Sequence, residues 1–211
     1  MRVLPNGDAA VLVELSDLDE MLALYATLEA DPPPGVADMI PAARTVTLVL
    51  EPGGDPAVVT IAVHGAAEQA RGRPPGAASS GPEAVEIPVV YDGADLDEVA
   101  KLTDLTAGEV VAAHTGTPWR VAFVGFAPGF GYLVGGDPRL RVPRRREPRV
   151  RVPAGSVALA DEFSGLYPVS SPGGWQLIGR TDLALWDLDR DPPALLRPGV
   201  QVVFRATSGL W

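Results

Sequence analysis

The sequence predicts two folded parts in one chain: a small α+β unit, then a β-rich unit closed as a barrel or stacked as a sandwich. Three observations carry this. The first seventy residues mix strand-like and helix-like apolar patterns. Residues 71–84, RGRPPGAASSGPEA, have no apolar period and are rich in Gly, Pro, Ala and Ser. From residue 119 onward the apolar runs are short and broken by Gly and Pro. A chain of 211 residues that is 46% hydrophobic can bury such cores.

The elements follow in order. AAVLVEL (9–15) alternates well enough for a strand. DLDEMLALYATLEA (17–30) carries a helical apolar stripe with acidic residues in its first turn, and DPPPG (31–35) ends it. VADMIP (36–41) and RTVTLVLE (44–51) read as strands. Asp55-Pro56 opens a second helix running to about Gln69. The expected boundaries are 1–70 for the α+β domain, 71–84 for a linker and 85–211 for the β-rich domain. In the latter, EIPVVY (86–91) is a strand, and DLDEVAKLTD (95–104) and TAGEVVAAH (106–114) are short helices. WRVAFVGF, RVRVPAGSVALA, GLYPVS, WQLIGR, LALWDL and VQVVFRA then read as short strands.

Composition excludes several chemistries. With no Cys there is neither disulfide nor thiolate metal site, and His64 and His114 alone cannot build a multi-histidine centre. We expect no metal. The opening residues lack a long apolar run, so neither a signal peptide nor a membrane span is expected, and cytoplasm is the expected location. The two helices at 95–114 imitate a DNA-binding pair, but five acidic residues against Lys101 argue for packing instead. No phosphate loop, dinucleotide fingerprint, nucleophile elbow or zinc-protease motif occurs.

One stretch runs against the formal net charge of −10. RLRVPRRREPRVR (139–151) holds seven Arg and Glu147, a local net of +6 that leaves −16 for the remainder. Around it lie three segments that interleave glycine with aromatic or polar residues: GFAPGFGYLVGGDPRL (125–140), RVPAGSVALA (151–160) and SGLYPVSSPGGWQLIGRT (164–181). Glycine lets backbone amides approach a carboxylate or phosphate, and Tyr and Trp offer flat faces with one polar handle. Barrel corners account for any one of these segments. Three of them beside an arginine cluster point to a lined pocket.

These motifs, with NGDAAVLVEL, EIPVVYDGADLDEVAKLTDLTAGEVVAAHTG and PPALLRPGVQVVF, resemble the Kip inhibitor family, also known as the 5-oxoprolinase B-subunit or allophanate hydrolase subunit 1 family. The resemblance covers nearly the whole chain and implies a cyclophilin-like β-barrel as the second domain. It implies a non-autonomous enzyme component that works with allophanate hydrolase subunit 2-like and LamB/YcsF-like proteins, the other two components of 5-oxoprolinase. Together these cleave 5-oxoproline to glutamate with ATP hydrolysis, the ATP site being on this chain, shared, or on a partner. Other members inhibit a sporulation histidine kinase, and an allophanate hydrolase-type amidase is a third reading. Two departures stand out: Gly131 replaces a family Pro, and DEFSG (161–165) replaces Gly-Gly-Gln-Thr-Gly.

Read with the resemblance, the catalytic candidates are Arg149, Arg180, Ser156 and Tyr167. The arginines would stabilise developing charge, and Ser156 would donate to an anion without a paired base. The substrate-binding candidates are Phe126, Pro128, Gly129, Phe130 and Tyr132 of the first motif and Arg144 of the cluster. Pro153, Gly155, Gly173, Gly174 and Trp175 complete them. Strand alternation puts Arg149 and Arg151 on one face. Some arginines are expected to meet a ligand anion and others to form a basic rim for an acidic partner. His114 is expected to cap a helix C-terminus, and Asp161 and Glu162 to form a solvated turn.

Overall fold

The computed structural model describes residues 1–71 and 84–209. The chain divides into two compact units, Met1–Ser80 and Gly81–Trp211. Most of the expected linker, residues 72–83, lies outside the described residues.

In the first unit, β1 (Arg2–Pro5), β2 (Ala10–Glu14), β4 (Thr45–Leu50) and β3 (Val36–Pro41) form an antiparallel sheet in the order β1-β2-β4-β3. Period-two patterning works as expected: Val11 and Val13 of β2 and Val46, Leu48 and Leu50 of β4 point inward. Helix α1 (Leu18–Ala30) starts where Asp17 accepts a hydrogen bond from the Glu20 amide while Glu20 accepts from the Ser16 amide. Helix α2 (Pro56–Ala70) starts at Asp55, with Pro56 in its first turn. The two helices contact each other and the sheet, burying Met21, Leu24, Leu28, Val59 and Val63. Strand β1 is not anticipated by the sequence pattern, because Arg2–Pro5 is short and ends in Pro.

The second unit is mixed α/β with a nearly closed sheet. Its strands are β5 (Ala84–Val89), β6 (Trp119–Val124), β7 (Gly131–Val134), β9 (Ser156–Ala160), β10 (Phe163–Leu166), β12 (Gln176–Arg180) and β13 (Gln201–Ala206). Their order is β12-β9-β10-β7-β6-β13-β5, antiparallel except for β13 with β5. The two end strands meet just beyond β5, where the Val90 and Arg180 amides each donate to the other's carbonyl at 2.9 Å. Ile87, Val121, Leu133, Val157, Leu166, Ile178 and Phe204 fill the interior. Helices α3 (Leu96–Thr103) and α4 (Ala107–Gly116) pack on β12 and β13. A separate ribbon pairs β8 (Arg149–Val152) with β11 (Ser171–Gly173).

Two expectations need correction. LALWDL forms no strand; it contributes one isolated bridge, Trp186 to Ala194, because its residues cover the barrel as an irregular segment with Leu185 buried and Leu188 exposed. GLYPVS is strand only at Gly165 and Leu166, the end of β10, because the chain then turns through Pro168; GYLV, inside a glycine-rich motif, is the strand β7 that the pattern did not single out.

Candidate functional site

The site is built around a carboxylate that the sequence disguises. Asp95 stands at the N-cap of α3, where an Asp normally accepts a hydrogen bond from the first helical turn. Here it makes no such bond. Oδ1 accepts from Arg145 Nη1 and Arg149 Nη2, both at 2.7 Å, and Oδ2 accepts from the Leu177 amide at 2.7 Å. Glycine makes this approach feasible. A Cβ on Gly93 would lie 2.3–2.5 Å from backbone atoms of Leu177, Ile178 and Gly179, so only glycine lets residues 91–95 lie flush against β12. The Asp95 side chain is 4% exposed. Burial pushes its pKa up, but the hydrogen bonds from Arg149 and the Leu177 amide and the two guanidinium charges outweigh this. They hold the carboxyl below its usual range.

The rest of the arginine segment is paired differently. Arg139 binds Asp137, Arg141 lies 3.4 Å from Glu162, Arg144 lies 3.7 Å from Asp161, and Arg151 donates to Ser170. Of the seven, Arg146 has no hydrogen bond or ion pair among the described residues. The expected basic rim is therefore largely neutralised in place. An open groove of about 780 Å³ beside Asp95 balances Arg144, Arg145 and Arg146 against Asp95, Glu98 and Glu147. Asp161 and Glu162 form the exposed turn expected of them, with Asp161 in the left-handed region at φ 53°, and there they meet Arg144 and Arg141.

The glycine-aromatic motifs do converge. Phe130 makes edge contacts with Phe126, Tyr132, Tyr167 and Trp175 at centroid distances of 5.0–5.5 Å. Phe163 and Phe123 extend the cluster, the latter stacked on Tyr132 at 4.4 Å. The Arg144 guanidinium carbon sits 5.9 Å from the Trp175 ring centroid, on the order of the distance at which a cation meets a ring face. Phe130, Tyr167 and Trp175 are buried. Phe126 differs. Its φ is 65° and the Ala127 amide donates to the Gly125 carbonyl across it at 2.7 Å, a strained γ-turn, yet the residue is 61% exposed. A bulky residue in this conformation gains little from burial here, so local packing gives no reason for it.

Individual candidates fall into four groups. The aromatics Phe126, Phe130, Tyr132, Tyr167 and Trp175 are brought together with Arg144, and the Gly173-Gly174 turn joins them to Arg149. Gly173 pairs with Arg149 across the ribbon, and a Cβ on it would meet the Tyr167 hydroxyl oxygen. Burial raises the Tyr167 pKa, against the charges of Arg144 and Arg149 and the Trp175 amide. Pro128 and Gly129 form the turn after Phe126, with Gly129 against Leu185 and Trp186. Pro153, Gly155 and Ser156 form the turn between β8 and β9, where the Ser156 hydroxyl donates to the Pro153 carbonyl at 2.8 Å. That hydroxyl closes its own turn and has no base, so it does not serve as a nucleophile. Arg180 stands apart at the barrel seam, paired with Asp92 at 2.9 Å and 55% exposed.

His114 is also corrected. It is fully buried, stacked on Phe204 at 4.2 Å, with Nδ1 2.7 Å from the Tyr91 hydroxyl and Nε2 2.9 Å from Ser164 Oγ. Burial pushes its pKa down to about 3, so it is a neutral bridge inside the barrel and not a charged cap. Sequence reasoning misses Asp95, Gly93 and the Tyr91–His114–Ser164 chain. An aspartate opening a helix reads as an ordinary cap, and a Gly two residues earlier is the only local signal.

Comparison with known proteins places this architecture. Over 123 residues the chain is 50% identical to the 5-oxoprolinase B subunit of Bacillus subtilis (strain 168) and 51% identical to that of Escherichia coli O157:H7. The match takes in 57% of this chain and 51% and 56% of those proteins, so the chain spans about half the length of the curated relatives it matches. The crystal structure of TTHA0988 superposes with a TM-score of 0.73 at 36% identity, covering 95% of this chain and 40% of that longer one. Among the described residues no helix is long and apolar enough to cross a membrane. The carboxyltransferase domain, subdomain C and D, matches residues 1–196, a span that contains every motif of the site, and the chain belongs to that family.

Proposed function

We propose that this chain is a non-autonomous subunit of an ATP-dependent 5-oxoprolinase, which hydrolyses 5-oxo-L-proline to L-glutamate. The identity to two 5-oxoprolinase B subunits supports this. The observation that carries it is an aromatic cluster flanked by Arg144, 5.9 Å from the Trp175 ring centroid, and by Arg149, whose ribbon partner Gly173 packs on Tyr167. A small flat ring bearing a carboxylate matches such a surface: the ring stacks against Phe126 and the carboxylate meets a guanidinium fork. In the reaction the ring C–N bond breaks, water supplies the new carboxyl oxygen, and the ring nitrogen takes up a proton. This chain binds and orients the substrate.

The described residues do not fit a nucleoside triphosphate. The sequence has no phosphate loop, and of the arginine segment all but Arg146 have a hydrogen-bond or ion-pair partner among the described residues, while Lys101 lies 3.9 Å from Glu98 on α3. We therefore assign ATP to a partner, either an allophanate hydrolase subunit 2-like protein or a LamB/YcsF-like protein. We read the second unit as a cyclophilin-like barrel and the two units as separate domains. The test is co-expression with both partner types, followed by an assay of 5-oxoproline-dependent ADP release. Turnover requiring all three chains is expected. A co-purified, folded complex without such turnover overturns the proposal.

A further inference from the structure

We infer that Asp95 is a positioning residue of the proposed site: it holds the Arg149 fork, with Arg145 beside it, in the orientation that receives the substrate carboxylate. The inference rests on the reading of Arg149 as a ligand-facing group.

Four observations lead to it. Asp95 forgoes the local bond of a helix N-cap and commits both oxygens to partners 50, 54 and 82 residues away. Its own backbone is tied down, its amide donating to Leu177 and its carbonyl accepting from Val99. Solvent reaches its two arginines but hardly reaches Asp95: their side chains are 33% and 22% exposed, while Asp95 is 4% exposed. Finally, the grip is incomplete. Arg149 Nη1 and Arg145 Nε are buried without a hydrogen-bond partner, so the carboxylate aims the guanidinium groups without satisfying them. A purely structural ion pair is expected to satisfy its buried donors. Held by Asp95 on one edge, each guanidinium presents its solvent-reached part to a ligand.

Two measurements keep this inference and the substrate reading apart. In the isolated chain, nitrogen-detected spectra of the arginine side chains should show slow guanidinium rotation for Arg145 and Arg149, and Asp95→Asn should release both. Unchanged rotation of Arg149 in Asp95→Asn overturns the positioning role whatever the substrate. In the reconstituted complex, Asp95→Asn should raise the KM for 5-oxoproline at least tenfold, with kcat within threefold and the KM for ATP unchanged. Arg149→Lys should do the same. A fall in kcat at constant KM would mean only a loss of folded protein, and overturns the role. If Asp95→Asn frees Arg149 but Arg149→Lys leaves KM unchanged, the ligand-facing reading of Arg149 falls, and the functional role of Asp95 with it. If Asp95→Asn folds poorly, the combination of Asp95→Leu, Arg145→Met and Arg149→Met removes the buried charges together. It should regain the melting temperature and keep the raised KM. Wild-type KM in that triple variant overturns the inference.

Discussion

Two sets of arginines from one thirteen-residue stretch meet opposite fates. Arg145 and Arg149 converge on a buried carboxylate at 2.7 Å each, while Arg141 and Arg144 reach Glu162 and Asp161 at 3.4 and 3.7 Å across exposed surface. The residue types are the same, and the two members of each set lie three or four positions apart in the chain. The difference is the environment of the acid: the Asp95 side chain is 4% exposed and that of Asp161 54%. Water screens the outer pairs and offers both partners an equal alternative. The inner pair has no such alternative, so removing one member leaves the others as uncompensated charge.

The comparison can be broken most sharply at its centre. Asp95→Ala should destabilise the chain by about 3–5 kcal/mol in chemical denaturation, the usual cost of orphaning buried charge. A loss below about 1 kcal/mol would place the inner pair with the outer ones.

Acid should separate the buried polar groups by depth. His114 has a folded pKa near 3, below its unfolded value, so the unfolded chain takes up its proton first. Stability should therefore fall as pH drops from about 6.5 towards 3, by up to about 4 kcal/mol at 1.36 kcal/mol per unit. His114→Gln should lose that slope. Asp95 is also depressed, and its contribution is present above the unfolded carboxyl value near 3.9 and lost as pH falls through the folded one. Asp95→Asn should therefore differ in slope from wild type only below about pH 4. Urea midpoints measured across this range check both.

Gly93→Ala sharpens the same point without touching a charge. Its Cβ would strike the backbone of β12, so residues 91–95 must lift away and carry Asp95 with them. A cost of about 1–3 kcal/mol is expected, together with altered Arg145 and Arg149 side-chain signals. Intact signals would separate the close approach from the ion pair.

The smallest effect is expected outside. Asp161→Asn and Glu162→Gln should each cost less than about 1 kcal/mol, and less still in high salt. Thermal melts at low and high ionic strength measure this.

Much of the chain is legible because local chemistry and final structure agree. Val11 and Val13, or Leu24 and Leu28, are apolar at the period of their own element, and Asp17 and Asp55 cap the helices they precede. The aromatic motifs are legible for a related reason: Pro128 and Gly129 between Phe126 and Phe130 mark a turn directly before strand β7. LALWDL misleads because a short apolar run looks the same whether it pairs in a sheet or lies over one. Asp95 is unreadable for the opposite reason, since a residue typical of its position performs a task foreign to that position.

By itself, then, the sequence determined the order of most elements, the change to a β-rich second unit and the two motifs, 125–140 and 164–181, that meet at the aromatic cluster. These follow from periodicity and turn chemistry, which act over a few residues. Only the tertiary structure decided which of seven equivalent arginines would meet a buried carboxylate, that His114 would be neutral, and that Arg180 would stand at the seam. Those outcomes depend on desolvation and on partners up to 88 residues away, and neither is encoded in any local stretch of the chain.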